Sequence, residues 1–99
     1  KLRYADVPKI TESIGYLNAG CYPDGALRNW KSLADVVKGA NNLERMIMLC
    51  DPQTSGGLLI ACNPAFVDEI KQLMGNKHTC VETIGVLCEP QNGILISVE

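Results

Sequence analysis

The sequence predicts an α+β fold, an α/β sandwich in which a largely antiparallel mixed sheet carries helices packed on one face. Three observations support this prediction. An amphipathic segment with clear start and stop signals spans residues 63–75, a continuous apolar run of strand length spans residues 57–62, and two alternating segments meet at Asn92-Gly93. With 99 residues, 46% of them hydrophobic, the chain is expected to form a single domain over 1–99.

The first half of the chain predicts a strand, a helix, a loop and a second helix. Residues 1–7 are a short strand candidate. The next helix has Pro8 in its first turn and Gly20 as its stop, and its apolar residues at helical spacing are Val7, Ile10, Ile14 and Leu17. Residues 21–32 carry a Pro-Asp-Gly turn signal without a clear period, so we expect an ordered loop there. One short element should end near Gly39, and a helix capped by Asn42 should run from about Asn42 to Leu49.

The second half predicts a strand, a helix and a closing hairpin. Residues 57–62 are apolar throughout, as in a strand covered on both faces. The following helix has Asn63 as N-cap, Pro64 in its first turn and Gly75 as its stop, with Asp68 and Glu69 early and Lys71 and Lys77 late. The hairpin turns at Asn92-Gly93 and should bury one face, made of Ile84, Val86, Cys88, Ile94, Ile96 and Val98.

Composition excludes several classes of protein. The formal net charge is −2 and the basic residues are scattered, which argues against a nucleic-acid partner. No apolar run approaches the roughly 20 residues of a membrane span, and the first ten residues lack an apolar signal-peptide core, so we expect no membrane partner and a cytoplasmic location. The five cysteines are odd in number and include no CxxC pair, so we expect reduced, mostly buried thiols rather than disulfides or a zinc site.

The stretch "CDPQTSGGLLIAC" contains a polar loop that a simple turn does not explain. Asp51, Pro52 and Gly56 suffice for a turn, which leaves Gln53, Thr54 and Ser55 unaccounted for. A phosphate-binding P-loop would need Lys-Ser/Thr and a helix after its glycines, whereas a strand is expected here. One alternative is that the two glycines only form a bulge or a close backbone approach at the start of a strand.

The other candidate residues predict no catalytic or metal site. His78 is the only histidine and follows a helix stop, so we interpret it as a surface loop residue. The carboxylates that might bind a cation are spread without the spacing of a calcium site: Asp24, Asp35, Glu44, Asp51 and Asp68. Trp30 is expected to be a core anchor, with ligand stacking as the alternative.

The stretch "LCDPQTSGGLLIA" closely resembles the signature of the selenophosphate synthetase (selenide, water dikinase) family, with Asp51 to Gly57 matching residue for residue. The stretch "NAGCYPDGALRN" and the terminal "IGVLCEPQNGILISV" also resemble that family. The whole chain is similar to the later part of the family's second domain, and this implies an AIR synthase C-terminal domain-like fold. Residues 1–99 would then be a fragment of the C-terminal domain of a two-domain enzyme.

The resemblance also implies an activity. The full-length phosphotransferase would use ATP and magnesium to convert selenide into selenophosphate, with AMP and phosphate as products. The glycine-rich nucleophile loop and most metal-binding aspartates would lie in the missing N-terminal half, which is the implied partner, and the full-length protein would be a homodimer. The fragment alone should bind no cofactor and be inactive.

The family's motifs imply cofactor-binding residues in two places, which are Arg28 and Asn29 and the loop residues Gln53, Thr54, Ser55, Gly56 and Gly57. Catalytic residues and metal ligands are expected in the missing half. The sequence departs from the family where two glycines and a threonine are usual, since it has Asp24, Gly25 and Ala26. Two alternatives remain, a non-enzymatic α+β module that binds a ligand or protein, and a diverged AIR synthase-superfamily member with another substrate.

Overall fold

The computed structural model of the chain describes residues 1–75 and 80–99. In this part of the chain the helices and strands follow the order α1 (Thr11–Asn18), α2 (Asp24–Leu33), β1 (Val37–Lys38), α3 (Leu43–Leu49), α4 (Val67–Gly75) and β2 (Ile96–Ser97). Two short 3₁₀ helices, Tyr4–Asp6 and Pro64–Phe66, complete the set. Helices combined with a small sheet confirm the α+β class.

The sheet is parallel, so the prediction of a largely antiparallel sheet is wrong. Strands β1 and β2 pair in parallel, with Val37 opposite Ile96 and Lys38 opposite Ser97. Leu2 lies beside them, in a parallel bridge to Val98 and an antiparallel bridge to Gly85. Parallel pairing needs a crossover of about a dozen residues or more, and the connection through α3 and α4 between the two strands is long enough to supply it.

The predicted strand over 57–62 does not form. Residues 51–63 have no regular secondary structure, and the side chains of Leu58 and Leu59 are each 83% exposed. A strand needs a neighbour to pair its backbone N–H and C=O groups, and no described segment forms a ladder or a bridge with this one. The apolar run is therefore left uncovered.

The N-terminal elements differ from the prediction in two places. Residues 1–7 form a strand-like bridge only at Leu2 before turning into a 3₁₀ helix at Tyr4, and α1 begins at Thr11 rather than at Pro8. Helix α2 occupies the segment that was expected to be a loop. Pro23 immediately before the helix and Asp24 in its first turn are typical of a helix start, and the Pro-Asp-Gly signal was wrongly interpreted as a turn.

The predicted helix caps and the Asn92-Gly93 turn are confirmed. Asn42 caps α3 by accepting a 2.8 Å hydrogen bond from the Arg45 N–H, and Asn63 Oδ1 accepts one of 3.0 Å from the Ala65 N–H. Asn92 and Gly93 take φ values of +52° and +77°, as a tight hairpin turn requires. The hairpin is limited to one antiparallel bridge between Gln91 and Ile94. The prediction that it buries one face is wrong, because Val86, Cys88 and Ile96 are exposed; of the six residues predicted on that face only Val98 is buried, and a single bridge brings too little sheet together to cover the rest. Lys77 and His78 lie outside the described residues.

The core consists of two small apolar clusters. The first contains Tyr4, Ala40 and Val98 and the second contains Leu17, Ala26 and Ile47, with Met48 packed against both. Trp30 packs against the first cluster, which confirms its prediction as a core anchor. Cys50 is buried, but the other four cysteines are exposed, so the expectation of mostly buried thiols is wrong. None of the helices in the described ranges has the length and apolar character needed to cross a membrane.

Candidate functional site

The polar loop Asp51–Gly57 follows helix α3 directly and is exposed along its whole length. Cys50, which ends α3, is buried, so the loop emerges at the point where the chain leaves the core. The loop presents the hydroxyls of Thr54 and Ser55 and a glycine-rich backbone to solvent. Hydroxyls and backbone N–H groups are suitable donors for the oxygens of an anionic ligand.

The loop folds back on itself at Gln53. The Gln53 N–H donates a 2.9 Å hydrogen bond to the Asp51 carbonyl, and the Gln53 side-chain oxygen occupies the space that a Cβ on Gly56 would need. A side chain at Gly56 would therefore require the exposed Gln53 side chain to rotate away. Gly57, in contrast, has open space around its Cα.

Helix α2 contacts the start of this loop through two residues. The Asn29 side-chain amide donates a 2.9 Å hydrogen bond to the Cys50 carbonyl. One turn earlier on the same helix, a Cβ on Gly25 would lie only 2.8 Å from Pro52 Cγ, so the helix backbone and the Pro52 ring are in direct contact. The structure thus brings together the two sequence stretches that resemble one enzyme family, although they are about 25 residues apart.

Arg28 lies on α2 next to Asn29 and is exposed. Within residues 1–75 and 80–99 the ion pair is the one between Arg3 and Asp6, so the Arg28 guanidinium is not paired with any described carboxylate. Its backbone carbonyl accepts a 3.1 Å hydrogen bond from the Ser32 hydroxyl, which is a contact inside the helix. A planar guanidinium that is not neutralised suits a phosphate group.

The three residues at which the sequence departs from the family pattern, Asp24, Gly25 and Ala26, lie in three different environments. Asp24 is exposed in the first turn of α2, and Gly25 contacts Pro52. Ala26 is fully buried between Leu17 and Ile47, so its side chain faces the core and not the loop. Of the three, Asp24 is the residue that alters the charge presented to solvent.

Sequence reasoning missed the structural roles of Gly25, Pro52 and Cys50. The available signal was the spacing of Ala26, Trp30 and Leu33, which places three apolar residues on one side of a helix over residues 24–33. Recognising that helix would have put Gly25 and Asn29 one turn apart on a common face. The tertiary contact with Pro52 still required the structure.

The described residues contain no group of three or more His, Cys, Asp or Glu side chains arranged to bind a metal ion. Burial raises the pKa of the Cys50 thiol, which keeps it protonated and makes it a poor nucleophile.

The sequence is similar to selenide, water dikinases from several organisms. It is 42% identical over 98 residues to the selenide, water dikinase of Photorhabdus laumondii, which covers 98% of this chain and 28% of that relative. The corresponding enzyme of Pseudomonas aeruginosa is 36% identical, covering 93% of this chain and 26% of the relative, and that of Dechloromonas aromatica is 37% identical, covering 94% and 28%. The chain thus spans about a quarter of the length of these curated relatives. No family model and no solved structure matches the chain.

Proposed function

The chain is a homologue of one segment of the selenide, water dikinases, and we propose that it forms part of the C-terminal domain of such an enzyme. The observation that carries this proposal is the 42% identity over 98 residues with a selenide, water dikinase. The full-length protein would transfer a phosphoryl group from ATP to selenide and release AMP and phosphate, with water as the second acceptor. Magnesium would neutralise phosphate charge in this reaction, as in other phosphoryl transfers.

In this proposal the polar loop and helix α2 form one side of the nucleotide site. Arg28 supplies positive charge, while Gln53, Thr54, Ser55, Gly56 and Gly57 offer side-chain donors and backbone N–H groups to phosphate oxygens. The exposure of the loop supports this assignment, as does the Arg28 guanidinium, which forms no ion pair with a carboxylate in the described ranges. Asn29 belongs to the same surface, but its amide is already engaged with the Cys50 carbonyl.

The partner of this chain would be the remaining three-quarters of the same polypeptide, judged by the length of the relatives. Two features of the structure support the need for such a partner. The radius of gyration is 14.8 Å, above the roughly 13 Å of a compact domain of this size. Leu58 and Leu59 are each 83% exposed, in a run that is apolar enough to be covered in a complete protein.

Three further parts of the proposal rest on the resemblance. The isolated chain would be inactive, since its described residues supply no group of metal ligands and the resemblance places the nucleophile loop in the missing half. The full-length enzyme would form a homodimer through its other half. Five free thiols are consistent with a reducing compartment, so we place the protein in the cytoplasm.

A second candidate is a diverged relative that acts on another substrate, and Asp24 favours it. This exposed carboxylate sits in the first turn of α2, beside the Gly25 contact with Pro52, and would repel a phosphate group brought to the loop. A cationic or less charged substrate would not be repelled by the Asp24 carboxylate, so Asp24 would favour its binding.

The test is an assay of AMP formation from ATP by the full-length protein, with and without selenide. We expect selenide-dependent AMP in the native protein, and an increase in rate for Asp24→Asn. Asp35→Asn is the matched control, because it removes the same charge from an exposed position beyond the other end of α2. If neither the native protein nor Asp24→Asn forms AMP in response to selenide, the proposed substrate is wrong.

A further inference from the structure

Helix α2 contacts the two residues that flank Asp51 in the chain, Cys50 and Pro52. Gly25 and Asn29 are four residues apart, so they lie on the same face of the helix. Gly25 contacts Pro52, and Asn29 binds the carbonyl of Cys50. The two contacts thus fall on the residues immediately before and after the first residue of the polar loop.

The two contacts differ in physical kind. Gly25 has no positive φ, so its role is clearance for Pro52 rather than an unusual backbone conformation. The Pro52 ring fixes the backbone φ angle at that residue, so a ring held against Gly25 also fixes the direction in which the chain enters the loop. Asn29 satisfies the carbonyl at the C-terminal end of α3, where helical carbonyls lack a partner within the helix.

Little else holds the loop. In the part of the chain that the structure describes, the backbone hydrogen bond within Asp51–Gly57 is the local one from the Gln53 N–H to the Asp51 carbonyl. The apolar run that follows the loop is exposed and unpaired. The position of Thr54 and Ser55 relative to the body of the protein therefore depends on the contacts at Cys50 and Pro52.

We infer that Gly25 and Asn29 are positioning residues for the nucleotide-binding loop, with Asn29 acting through the Cys50 carbonyl and Gly25 through the Pro52 ring. Neither residue touches the ligand in this arrangement. The inference rests on the proposed function, since it assigns the loop to ATP. Under this inference Asn29 supports the loop through the Cys50 carbonyl and does not bind the nucleotide directly.

The experiment compares steady-state AMP formation by the full-length protein carrying Asn29→Ala, Gly25→Ala, Pro52→Ala or the Gly25→Ala/Pro52→Ala pair. Loss of one hydrogen bond to the loop should raise the KM for ATP by about fivefold to tenfold, with kcat within about twofold of native. Gly25→Ala should raise the KM similarly, and so should Pro52→Ala, because it removes the ring contact. In the pair the increase should be smaller than the product of the two single increases, because Pro52→Ala removes the Cγ at 2.8 Å from the added Cβ and leaves only the Pro52 Cβ at 3.1 Å. Gly15→Ala is the control, because its Cβ enters open space on α1 and should leave the KM unchanged.

A purely structural role predicts another pattern, in which kcat falls with the folded fraction while the KM for ATP stays at its native value. That pattern, or a KM increase in the Gly25→Ala/Pro52→Ala pair equal to the product of the two single increases, would overturn the inference.

A second readout separates this inference from the reaction itself. Hydrogen exchange of the peptide covering residues 46–57 should slow when ATP and magnesium are added to the native full-length protein, and slow less in Asn29→Ala. If ATP protects this peptide but selenide produces no AMP, the proposed reaction fails and the positioning role stands. If ATP gives no protection, or protects Asn29→Ala as strongly as native, the positioning role is wrong.

Discussion

The Tyr4 hydroxyl donates a 2.8 Å hydrogen bond to Glu44 Oε1, which ties the first residues of the chain to helix α3. Lys9 Nζ lies 4.2 Å and Arg45 Cζ 5.2 Å from the centroid of the same ring, within the range of cation–π attraction. Tyr4 is 8% exposed and belongs to the first core cluster. A buried phenol bonded to a carboxylate is a pair that alkaline pH must disrupt.

Stability is predicted to fall between about pH 10 and pH 12. Burial, followed by the hydrogen bond to Glu44, raises the pKa of Tyr4 from 10.0 to about 12. The folded state therefore retains a proton that the unfolded state releases, so the contribution of Tyr4 to the free energy of unfolding decreases with rising pH in this window and is constant below it. Urea unfolding at pH 9, 10, 11 and 12 measures the slope. The Tyr4→Phe variant should show a smaller slope. The control Tyr16→Phe, at an exposed position, should keep the native slope. Equal slopes in the native protein and Tyr4→Phe would contradict the prediction.

Gly39 is predicted to tolerate no side chain. Its φ is +88°, and a Cβ there would overlap the backbone oxygen of Val98 beside strand β2. We expect Gly39→Ala to lower the free energy of unfolding by about 2–4 kcal/mol, because both the backbone strain and the overlap must be relieved. In the control Gly15→Ala, a Cβ in open space within α1 should raise stability by roughly 0.5–1 kcal/mol. Urea denaturation compares the two, and a Gly39→Ala variant as stable as native would refute the close approach.

The five thiols are predicted to fall into two kinetic classes. Burial raises the pKa of the Cys50 thiol, so its thiolate fraction and its access to reagents are both reduced. Alkylation with iodoacetamide at pH 7.5, followed by mass spectrometry, should show that the four exposed cysteines are modified quickly. The alkylation rate of Cys50 should be at least about tenfold lower, because burial reduces its access to the reagent and raises its pKa. Unfolding in urea should abolish the difference. Uniform rates in the folded chain would show that Cys50 is not buried.

The elements that sequence predicted well are those fixed by local chemistry. Asn42 and Asn63 cap the segments that follow them, and Asn92-Gly93 turns the chain with positive φ at both residues. Each of these signals acts over three or four residues, so it needs no knowledge of distant contacts. The strand over 57–62 failed because strand formation depends on a partner segment, which an apolar run by itself does not specify.

In the candidate site, too, sequence identified individual residues but not the contacts between distant segments. The sequence identified the residues of the loop and of α2 through their resemblance to an enzyme family, and the chain's 42% identity to a selenide, water dikinase confirms that resemblance. It did not reveal that Asn29 binds the Cys50 carbonyl or that Gly25 makes room for Pro52. Those contacts join segments about 25 residues apart, and no local spacing encodes them.

The exposed apolar run offers a test of whether this chain is completed by further polypeptide. Leu58 and Leu59 are 83% exposed, so Leu58→Ser/Leu59→Ser should change the stability of the 99-residue chain by less than about 0.5 kcal/mol. If the rest of the polypeptide covers these side chains, the same pair should cost the full-length protein about 2–4 kcal/mol, as burial of two leucines implies. Ile47→Ala, at a position 3% exposed, is the control that should destabilise both forms. Equal and small effects of the serine pair in both forms would show that the run stays uncovered, and the proposed interface would then have to lie elsewhere on the chain.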